Sequence, residues 1–231
     1  MKGEEEGVSG LLLVDKAAGV TSHDVVDIAR RAYGERSIGH LGTLDPFATG
    51  LLILLLGRAT RLATFIENEP KVYEARVRFG AETDSGDLTG EVVRSAPPPS
   101  QECVPHAIAS LTGRILQTPP EFSAKKVSGV PAYRAARAGA PVVLAPAEVV
   151  VHEWRVTSFA DDELRAVITC GGGTYIRALA RDLGRACGSA AHLTALRRTG
   201  SGPFDVAEAS TLDQLRQSPP PVVRTVRVTA Q

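Results

Sequence analysis

One segment of this sequence guides the interpretation of the rest: GHLGTLDPFATG, residues 39–50, here called the Asp45 segment. Its three glycines allow backbone conformations that other residues avoid, and they let a ligand approach the chain closely. Pro46 disfavours helical geometry at Asp45, so the carboxylate is held in an extended or turn conformation. The apolar run Leu51–Leu56 follows and predicts a buried strand. Asp45 is therefore either a reactive carboxylate beside a buried strand or the cap of a local Asx-turn.

The pattern Gly-His-x-Gly-x-Leu-Asp-Pro-x-Ala-Thr-Gly resembles the catalytic-loop motif of the TruB family, the bacterial tRNA uridine-55 pseudouridine synthases. The match is long and its residue order is unusual. The resemblance covers residues 10–216, and the further matches follow the order of the family. They are Asp15-Lys16 with Gly19-Val20-Thr21-Ser22, Lys71-Val72-Tyr73, Thr83-Asp84-Ser85-Gly86-Asp87, Pro119–Lys125 and Gly173-Thr174-Tyr175-Ile176-Arg177.

The composition suits one large domain, alone or with appendages, and it carries no net charge. The 231 residues include 26 lysines and arginines and 26 aspartates and glutamates, and 43% of all residues are hydrophobic. A neutral chain is untypical of nucleic-acid-binding proteins, so an RNA partner requires charges that are segregated on the surface. Acidic residues concentrate at Glu4–Glu6 and from Glu82 to Glu91, whereas basic residues concentrate from Arg177 to Arg198.

The cysteine and hydropathy patterns indicate a reducing compartment. The three cysteines show no paired spacing, and the five histidines form no cluster with metal-ligand spacing. The N-terminus has no signal-peptide pattern, and the longest apolar run, Gly50–Gly57, is too short to span a bilayer. We therefore expect a soluble, cytoplasmic protein without a metal site.

Hydrophobic periodicity predicts helices and strands that interleave without a regular βαβ repeat, which favours an α+β fold. In Val72–Phe79, apolar residues alternate with charged ones, as in a half-buried strand. Two runs on either side of Asp161-Asp162 predict an antiparallel hairpin. The predicted helices are Ser22–Tyr33, Ala59–Ile66, Gln101–Leu111, Tyr133–Ala138, Thr174–Cys187 and Thr211–Leu215, and the other predicted strands are Gly10–Val14, Glu91–Arg94 and His192–Arg198.

The predicted helix Thr174–Cys187 carries an arginine at every fourth position beside its apolar stripe: Arg177, Arg181 and Arg185. Arg177 falls in the first turn, where the helix dipole disfavours a cation by about 0.3–1 kcal/mol. A solvated side chain or a structural ion pair with a neighbour would account for it. The resemblance implies a different partner, the Asp45 carboxylate, which this contact would keep ionised and in one rotamer.

The resemblance also implies roles in binding the uridine for four other residues. It implies that the Tyr73 ring stacks on the flipped uracil, for about 1–3 kcal/mol, although the strand pattern alone makes Tyr73 a core residue. Tyr175 and Leu196 are implied to line the uracil pocket, although ordinary packing also explains both. His40 is implied to insert into the RNA stack where the target base has left, although a lone loop histidine is more often a surface or packing residue.

Contacts with the RNA backbone are implied for a set of basic residues, some of them on a thumb-like loop. An ordinary solvated cationic surface explains the same residues almost as well, and on that interpretation the first of them is a surface lysine. They are Lys16, Lys125, Lys126, Arg134 and Arg181.

The resemblance implies a pseudouridine synthase fold of the α+β class, with a mixed, mainly antiparallel central sheet flanked by helices and loops. We expect the catalytic domain at residues 8–216, within which 117–140 form a thumb-like insertion that contacts RNA. Residues 217–231 are too few for a core of their own, so we expect a short C-terminal tail without a complete PUA domain.

The implied reaction is the isomerisation of uridine 55 in the tRNA T-loop to pseudouridine, which needs no cofactor because no atom is gained. Asp45 either attacks C1′ as a nucleophile or removes the C2′ proton to give a glycal, and the sequence leaves both routes open. The implied partner is the T-loop and elbow of tRNA, with no membrane, and we expect a monomer. A non-catalytic RNA-binding module and an aspartate-nucleophile hydrolase remain as alternatives.

Overall fold

The computed structural model of the protein describes residues 8–123, 126–127, 130–131 and 144–222. The chain divides into unit 1, which comprises Met1–Lys71 and Arg197–Gln231, and unit 2, which comprises Val72–Leu196. The predicted helix Tyr133–Ala138 lies outside the described residues. In the described part of the chain, none of the helices is long and apolar enough to cross a membrane.

Unit 1 is built around β3 (Thr49–Leu56), the strand that continues the Asp45 segment. It pairs antiparallel with β1 (Gly10–Lys16) and with β2 (Ile38–Leu41), and its side chains from Leu51 onward are almost fully buried. A strand buried in this way is uniformly apolar rather than alternating, which explains the composition of the run.

The helix α1 (Ser22–Tyr33) has the predicted bounds, and its start is fixed by hydrogen bonds between Thr21 and Asp24. The Thr21 hydroxyl accepts from the Asp24 backbone N–H at 3.0 Å, and the Asp24 carboxylate accepts from the Thr21 N–H at 2.8 Å. This capping box makes Thr21 the N-cap and Ser22 the first helical residue.

The helix predicted at Ala59–Ile66 is instead a short 3-10 helix, Gly57–Leu62. The Thr60 hydroxyl donates to the Gly57 carbonyl at 2.8 Å, and a local side-chain bond of this kind competes with a regular α-helix. The remaining elements of unit 1 are β13 (Phe204–Asp205), a 3-10 helix (Val206–Glu208), β14 (Ser210–Thr211) and α4 (Leu212–Gln217), together with the end of β12 (Ala191–Ser201).

Unit 2 has the strand order β12, β4, β11, β10, β7. In β4 (Lys71–Phe79), the predicted alternation is confirmed, because from Tyr73 onward every second residue is buried and those between are exposed. The predicted hairpin is also confirmed, with Asp161 and Asp162 both at positive φ in a two-residue turn. The other elements of unit 2 are β5 (Ala81–Thr83), β6 (Val92–Ser95), α2 (Cys103–Ser110), β7 (Gly113–Gln117), β8 (Lys126–Val127), β9 (Val130–Pro131), β10 (Ala147–Ala160), β11 (Glu163–Cys170) and α3 (Ile176–Ala186).

The pairings within the described units are mainly antiparallel, and two in unit 1 are parallel. These two join β1 to β14 and β3 to the end of β12, where Arg198 stands opposite Gly50. The structure therefore confirms the predicted mixed, mainly antiparallel α+β class. Among the described residues, seven strands were not predicted: β2, β5, β7, β8, β9, β13 and β14.

The parallel contact between β3 and β12 generates a stability prediction. Gly50 lies at φ +99°, and a Cβ atom there would stand 2.2 Å from the Arg198 carbonyl oxygen. We expect Gly50→Ala to lower the free energy of unfolding by at least about 1–3 kcal/mol, the cost of the strained φ alone. Urea denaturation followed by circular dichroism measures the change. Gly39→Ala is the control, because a Cβ at Gly39 meets no atom within 4 Å, and equal losses in both variants would contradict the prediction.

Candidate active site

The carboxylate proposed from the sequence, Asp45, lies half-buried between β2 and β3 in unit 1. The Ala48 backbone N–H donates to the Asp45 carbonyl at 3.1 Å and closes a turn around Pro46. The preceding residue, Leu44, is buried, and Pro46 is exposed. The carboxylate therefore stands at the edge of the core of unit 1, where it is partly accessible to a ligand.

Ser22, the first residue of α1, fixes the backbone immediately before Asp45. Its hydroxyl donates to the Leu44 carbonyl at 3.0 Å and accepts from the Leu44 N–H at 2.9 Å. Ser22 is 3% exposed, so water does not compete for these bonds. A single side chain thus binds both polar backbone groups of the residue that precedes the carboxylate.

Lys16 fixes the backbone immediately after Asp45. Its ammonium donates to the carbonyls of Val20 at 2.7 Å, Ala17 at 2.9 Å and Pro46 at 3.3 Å. The side chain is fully buried, so the interpretation of Lys16 as an ordinary surface lysine is wrong. Its predicted contact with RNA stays a prediction.

The charge of Lys16 is tied to the candidate carboxylate. Burial lowers the pKa of Lys16 to about 8, and the Arg198 guanidinium adds to this effect, while attraction from the Asp45 and Asp24 carboxylates opposes it. A buried ammonium thus lies within electrostatic range of Asp45 and favours a negative charge on it.

Arg198 is a second buried cation beside the Asp45 segment, and the sequence interpretation missed it. It is 1% exposed, and its guanidinium donates from Nε to the Leu51 carbonyl at 2.7 Å and from Nη2 to the Gly42 carbonyl at 2.8 Å. The sequence did contain a signal: in the predicted strand, Arg198 shares the face of Leu196 by its even position. An arginine on an inward face is rare unless it is paired or hydrogen-bonded.

His40 is half-buried near the start of the segment, and its Nε2 lies 3.4 Å from the Thr43 hydroxyl. Burial lowers the pKa of His40, and the positive charges of Arg198 and His23 lower it further. The imidazole is therefore neutral at neutral pH, which suits a ring that stacks on bases rather than one that binds phosphate.

Arg177, placed in α3 of unit 2, is buried among polar groups of its own unit. It donates to the Ser85 carbonyl at 2.7 Å and to the Phe122 carbonyl at 2.8 Å, and its Nε lies 4.0 Å from the Asp87 carboxylate. Asp87 was not singled out as a site residue, although it ends one of the motifs that carry the resemblance. The predicted pairing of Arg177 with Asp45 stays a prediction.

Tyr175, at the start of α3, is held by a buried amide. Gln117 is 1% exposed; its Nε2 donates to the Tyr175 carbonyl at 3.1 Å, and its Oε1 accepts from the Tyr175 N–H at 2.8 Å. The rings and side chains of Tyr73 and Leu196 are each 7% exposed. Their predicted roles in a uracil pocket stay predictions.

The other two arginines of α3 form ion pairs within unit 2. Arg181 binds Asp182 at 2.8 Å and the Thr118 carbonyl at 2.9 Å, and Arg185 binds the buried Glu82 at 3.0 Å. The predicted contact of Arg181 with RNA stays a prediction. Of the other predicted backbone contacts, Lys125 and Arg134 lie outside the described residues, and the description of Lys126 is limited to its strand.

Comparison with known proteins gives matches along most of the chain. The model of the TruB family pseudouridylate synthase N-terminal domain matches residues 30–176, and that of the tRNA pseudouridylate synthase B C-terminal domain matches residues 177–219. The chain is 50% identical over 216 residues to tRNA pseudouridine synthase B of Thermobifida fusca (strain YX), a match that covers 89% of this chain and 74% of that protein. The protein of the same name from Opitutus terrae is 44% identical over 218 residues, with coverage of 94% and 90%.

Solved structures give matching folds at lower identity. A chain from the crystal structure of a Cbf5-Nop10-Gar1 complex has a TM-score of 0.68 and 28% identity, over 89% of this chain and 53% of that chain. A chain from the archaeal box H/ACA sRNP Nop10-Cbf5 complex has a TM-score of 0.65 and 26% identity, over 90% and 52%. The present chain thus spans about half the length of these two matched chains.

The buried Lys16 generates a prediction about stability and pH. Because its pKa is about 8 in the folded protein and 10.5 in the unfolded chain, the unfolded state binds more protons between these values. Wild-type stability should therefore rise with pH, relative to Lys16→Met, by about 1–2 kcal/mol between pH 7.5 and 9.5. Urea denaturation of both proteins across this range measures the difference. A difference that does not change with pH would contradict the lowered pKa.

Proposed function

The chain belongs to the TruB family of pseudouridylate synthases, which confirms the predicted family and fold, and we propose that it converts uridine 55 of the tRNA T-loop to pseudouridine. Asp45 is the essential carboxylate of this proposal. The observation that carries it is the half-buried position of Asp45, between backbone groups bound by Ser22 and by Lys16. An acid that only capped a surface turn would not need two buried side chains to fix the residues on either side of it.

The reaction breaks the C1′–N1 bond, turns the uracil and joins C1′ to C5. The C5 proton is lost and N1 takes up a proton, so the composition of the nucleotide does not change and no cofactor is consumed. Asp45 acts as an ionised carboxylate, either on C1′ as a nucleophile or on the C2′ proton as a base. The buried ammonium of Lys16 favours the ionised form that both routes require.

The target uridine must leave the stacked T-loop, at a cost of about a few kcal/mol. In our proposal, the neutral ring of His40 occupies the space that the base leaves and offsets part of this cost by stacking. Tyr73 stacks on the extruded uracil, Tyr175 and Leu196 bound its pocket, and Arg177 orients the carboxylate.

The RNA substrate is recognised mainly through its shape and backbone, as is usual for folded RNA. The proposed contacts with phosphate come from Arg181 and from the thumb-like insertion at residues 117–140, which carries Lys125, Lys126 and Arg134. The neutral net charge of the chain makes such local basic surfaces necessary. We propose that the enzyme acts on the tRNA elbow as a monomer.

Asp45→Asn tests the essential role of the carboxylate. We expect the rate of pseudouridine formation to fall by at least about 10²–10⁴-fold, because the amide can neither attack C1′ nor accept a proton. The measurement is tritium release from tRNA labelled at C5 of uridine, with mapping of position 55. Asp27→Asn, which changes a half-exposed carboxylate on α1 that pairs with Arg30, is the control and should retain activity.

The same variant distinguishes the enzyme from a non-catalytic RNA-binding module. An isomerase should lose product formation in Asp45→Asn while tRNA binding, measured by filter retention, persists. A wild-type protein that binds unmodified tRNA tightly but forms no pseudouridine would favour the binding module instead.

Tyr73→Phe tests a second proposed step, removal of the C5 proton after the new bond has formed. We expect this variant to detach and turn the base but to stall before release, since the phenol oxygen is missing. Rapid quenching followed by nuclease digestion should reveal an accumulated rearranged nucleotide that still carries the C5 label. Normal turnover in Tyr73→Phe would exclude this role.

A further inference from the structure

We propose that Arg198 is a positioning residue of this active site: its guanidinium joins Gly42, before Asp45 in the loop, to Leu51 in the strand β3 that follows the loop. The inference rests on the proposed function, because it gives Arg198 a role through the Asp45 carboxylate. Arg198 itself is too deeply buried to touch the substrate, with 1% of its surface exposed.

The contacts of Arg198 bracket the reactive residue. Nη2 donates to the Gly42 carbonyl, three residues before Asp45, and Nε donates to the Leu51 carbonyl, six residues after it. Hydrogen bonds from a charged donor are shorter and stronger than neutral ones. The planar guanidinium of Arg198 therefore fixes the distance between the carbonyls of Gly42 and Leu51, and Asp45 lies between these two residues in the chain.

Gly42 and Gly50 lie where the backbone passes close to Arg198. A Cβ atom at Gly42 would stand 3.1 Å from Nη1 of Arg198, and one at Gly50 would stand 2.2 Å from the Arg198 carbonyl oxygen. Both glycines have positive φ, +66° and +99°. At Gly50 the backbone thus approaches the main chain of Arg198 more closely than any side chain would allow, and at Gly42 a side chain would crowd the guanidinium.

Burying the Arg198 guanidinium is energetically unfavourable, because the charge loses its hydration, and two hydrogen bonds to carbonyls could be made by an uncharged donor. We therefore infer that the positive charge of Arg198 also acts electrostatically on the site. It lowers the pKa of Lys16, which interacts electrostatically with Asp45, and the pKa of His40 in the same segment. Arg198 thus contributes positive potential to the site as well as geometry.

Arginine and lysine differ in how they can perform this task. The guanidinium is planar and presents donors in fixed directions, so it can bind two carbonyls at once, whereas an ammonium on a flexible stem concentrates its charge at one point. Arg198→Lys should therefore retain the positive charge but lose the simultaneous hydrogen bonds to the carbonyls of Gly42 and Leu51. A displacement of about 1 Å at a reacting group can cost about 10²-fold in rate.

The test is the single-turnover rate of pseudouridine formation in unmodified tRNA with saturating enzyme, measured together with the tRNA dissociation constant. For Arg198→Lys we expect a rate about 10–100-fold below wild type and a dissociation constant within about twofold. Arg197→Lys is the matched control, because Arg197 precedes Arg198 on the same strand but is only half-buried and pairs with Asp15. It should retain the wild-type rate.

A purely structural role is distinguished by Val25→Ala, a core variant of α1 that destabilises the protein but removes none of the side-chain hydrogen bonds that hold the Asp45 segment. If urea denaturation gives Val25→Ala and Arg198→Lys similar free energies of unfolding, Val25→Ala should still convert tRNA at the wild-type rate, whereas Arg198→Lys should not. Equal slowing of both variants, or a normal rate in Arg198→Lys, would overturn the proposal.

If Arg198→Lys does not fold, Gly42→Ala is the second variant, because its added Cβ would stand 3.1 Å from Nη1 and would crowd the guanidinium without removing it. The same loss of rate with unchanged tRNA binding is expected, and a wild-type rate would contradict the role of Arg198. Failure of the proposed function is separate: in that case the wild-type protein itself forms no pseudouridine.

Discussion

Two buried cations bind backbone carbonyls around Asp45, and the candidate site of unit 1 depends on these contacts. Lys16 reaches the Pro46 carbonyl, and Arg198 reaches the carbonyls of Gly42 and Leu51. Neither side chain has access to solvent, so each must satisfy its donors within the protein. The backbone of the loop is thereby fixed from within, and the carboxylate is left at the edge where a ligand can approach.

This arrangement also accounts for the electrostatics of the site. Two cations buried near one another repel, and the effect of Arg198 on the pKa of Lys16 expresses that repulsion. The Asp45 carboxylate counteracts it, so a negative charge is favoured at the position where the proposed chemistry needs one. In unit 2 the cations are instead paired with acidic side chains, because the three arginines of α3 lie beside Asp87, Asp182 and Glu82.

Local patterns predicted the elements well where one face of an element is buried. The alternation in β4, the hairpin turn at Asp161-Asp162 and the bounds of α1 were all evident, because burial on one side imposes a period on the sequence. The helix expected at Ala59–Ile66 is instead a 3-10 helix in which the Ala63 N–H donates to the Thr60 carbonyl three residues earlier, and the spacing of apolar residues did not distinguish the two helix types. The strand β2 was not predicted, since it has only four residues and one of them is Gly39, a residue that is uncommon in strands.

The sequence by itself determined the family, the α+β class and the candidate carboxylate, since a long motif with an unusual residue order identifies Asp45 without coordinates. Only the tertiary structure decided which side chains fix that carboxylate. Lys16 looked like a surface lysine, and Arg198 lies 156 residues from Gly42 along the chain. Their partners are main-chain carbonyls, which every residue type possesses. The pairing is therefore set by where the folded backbone passes, and no residue pattern encodes it.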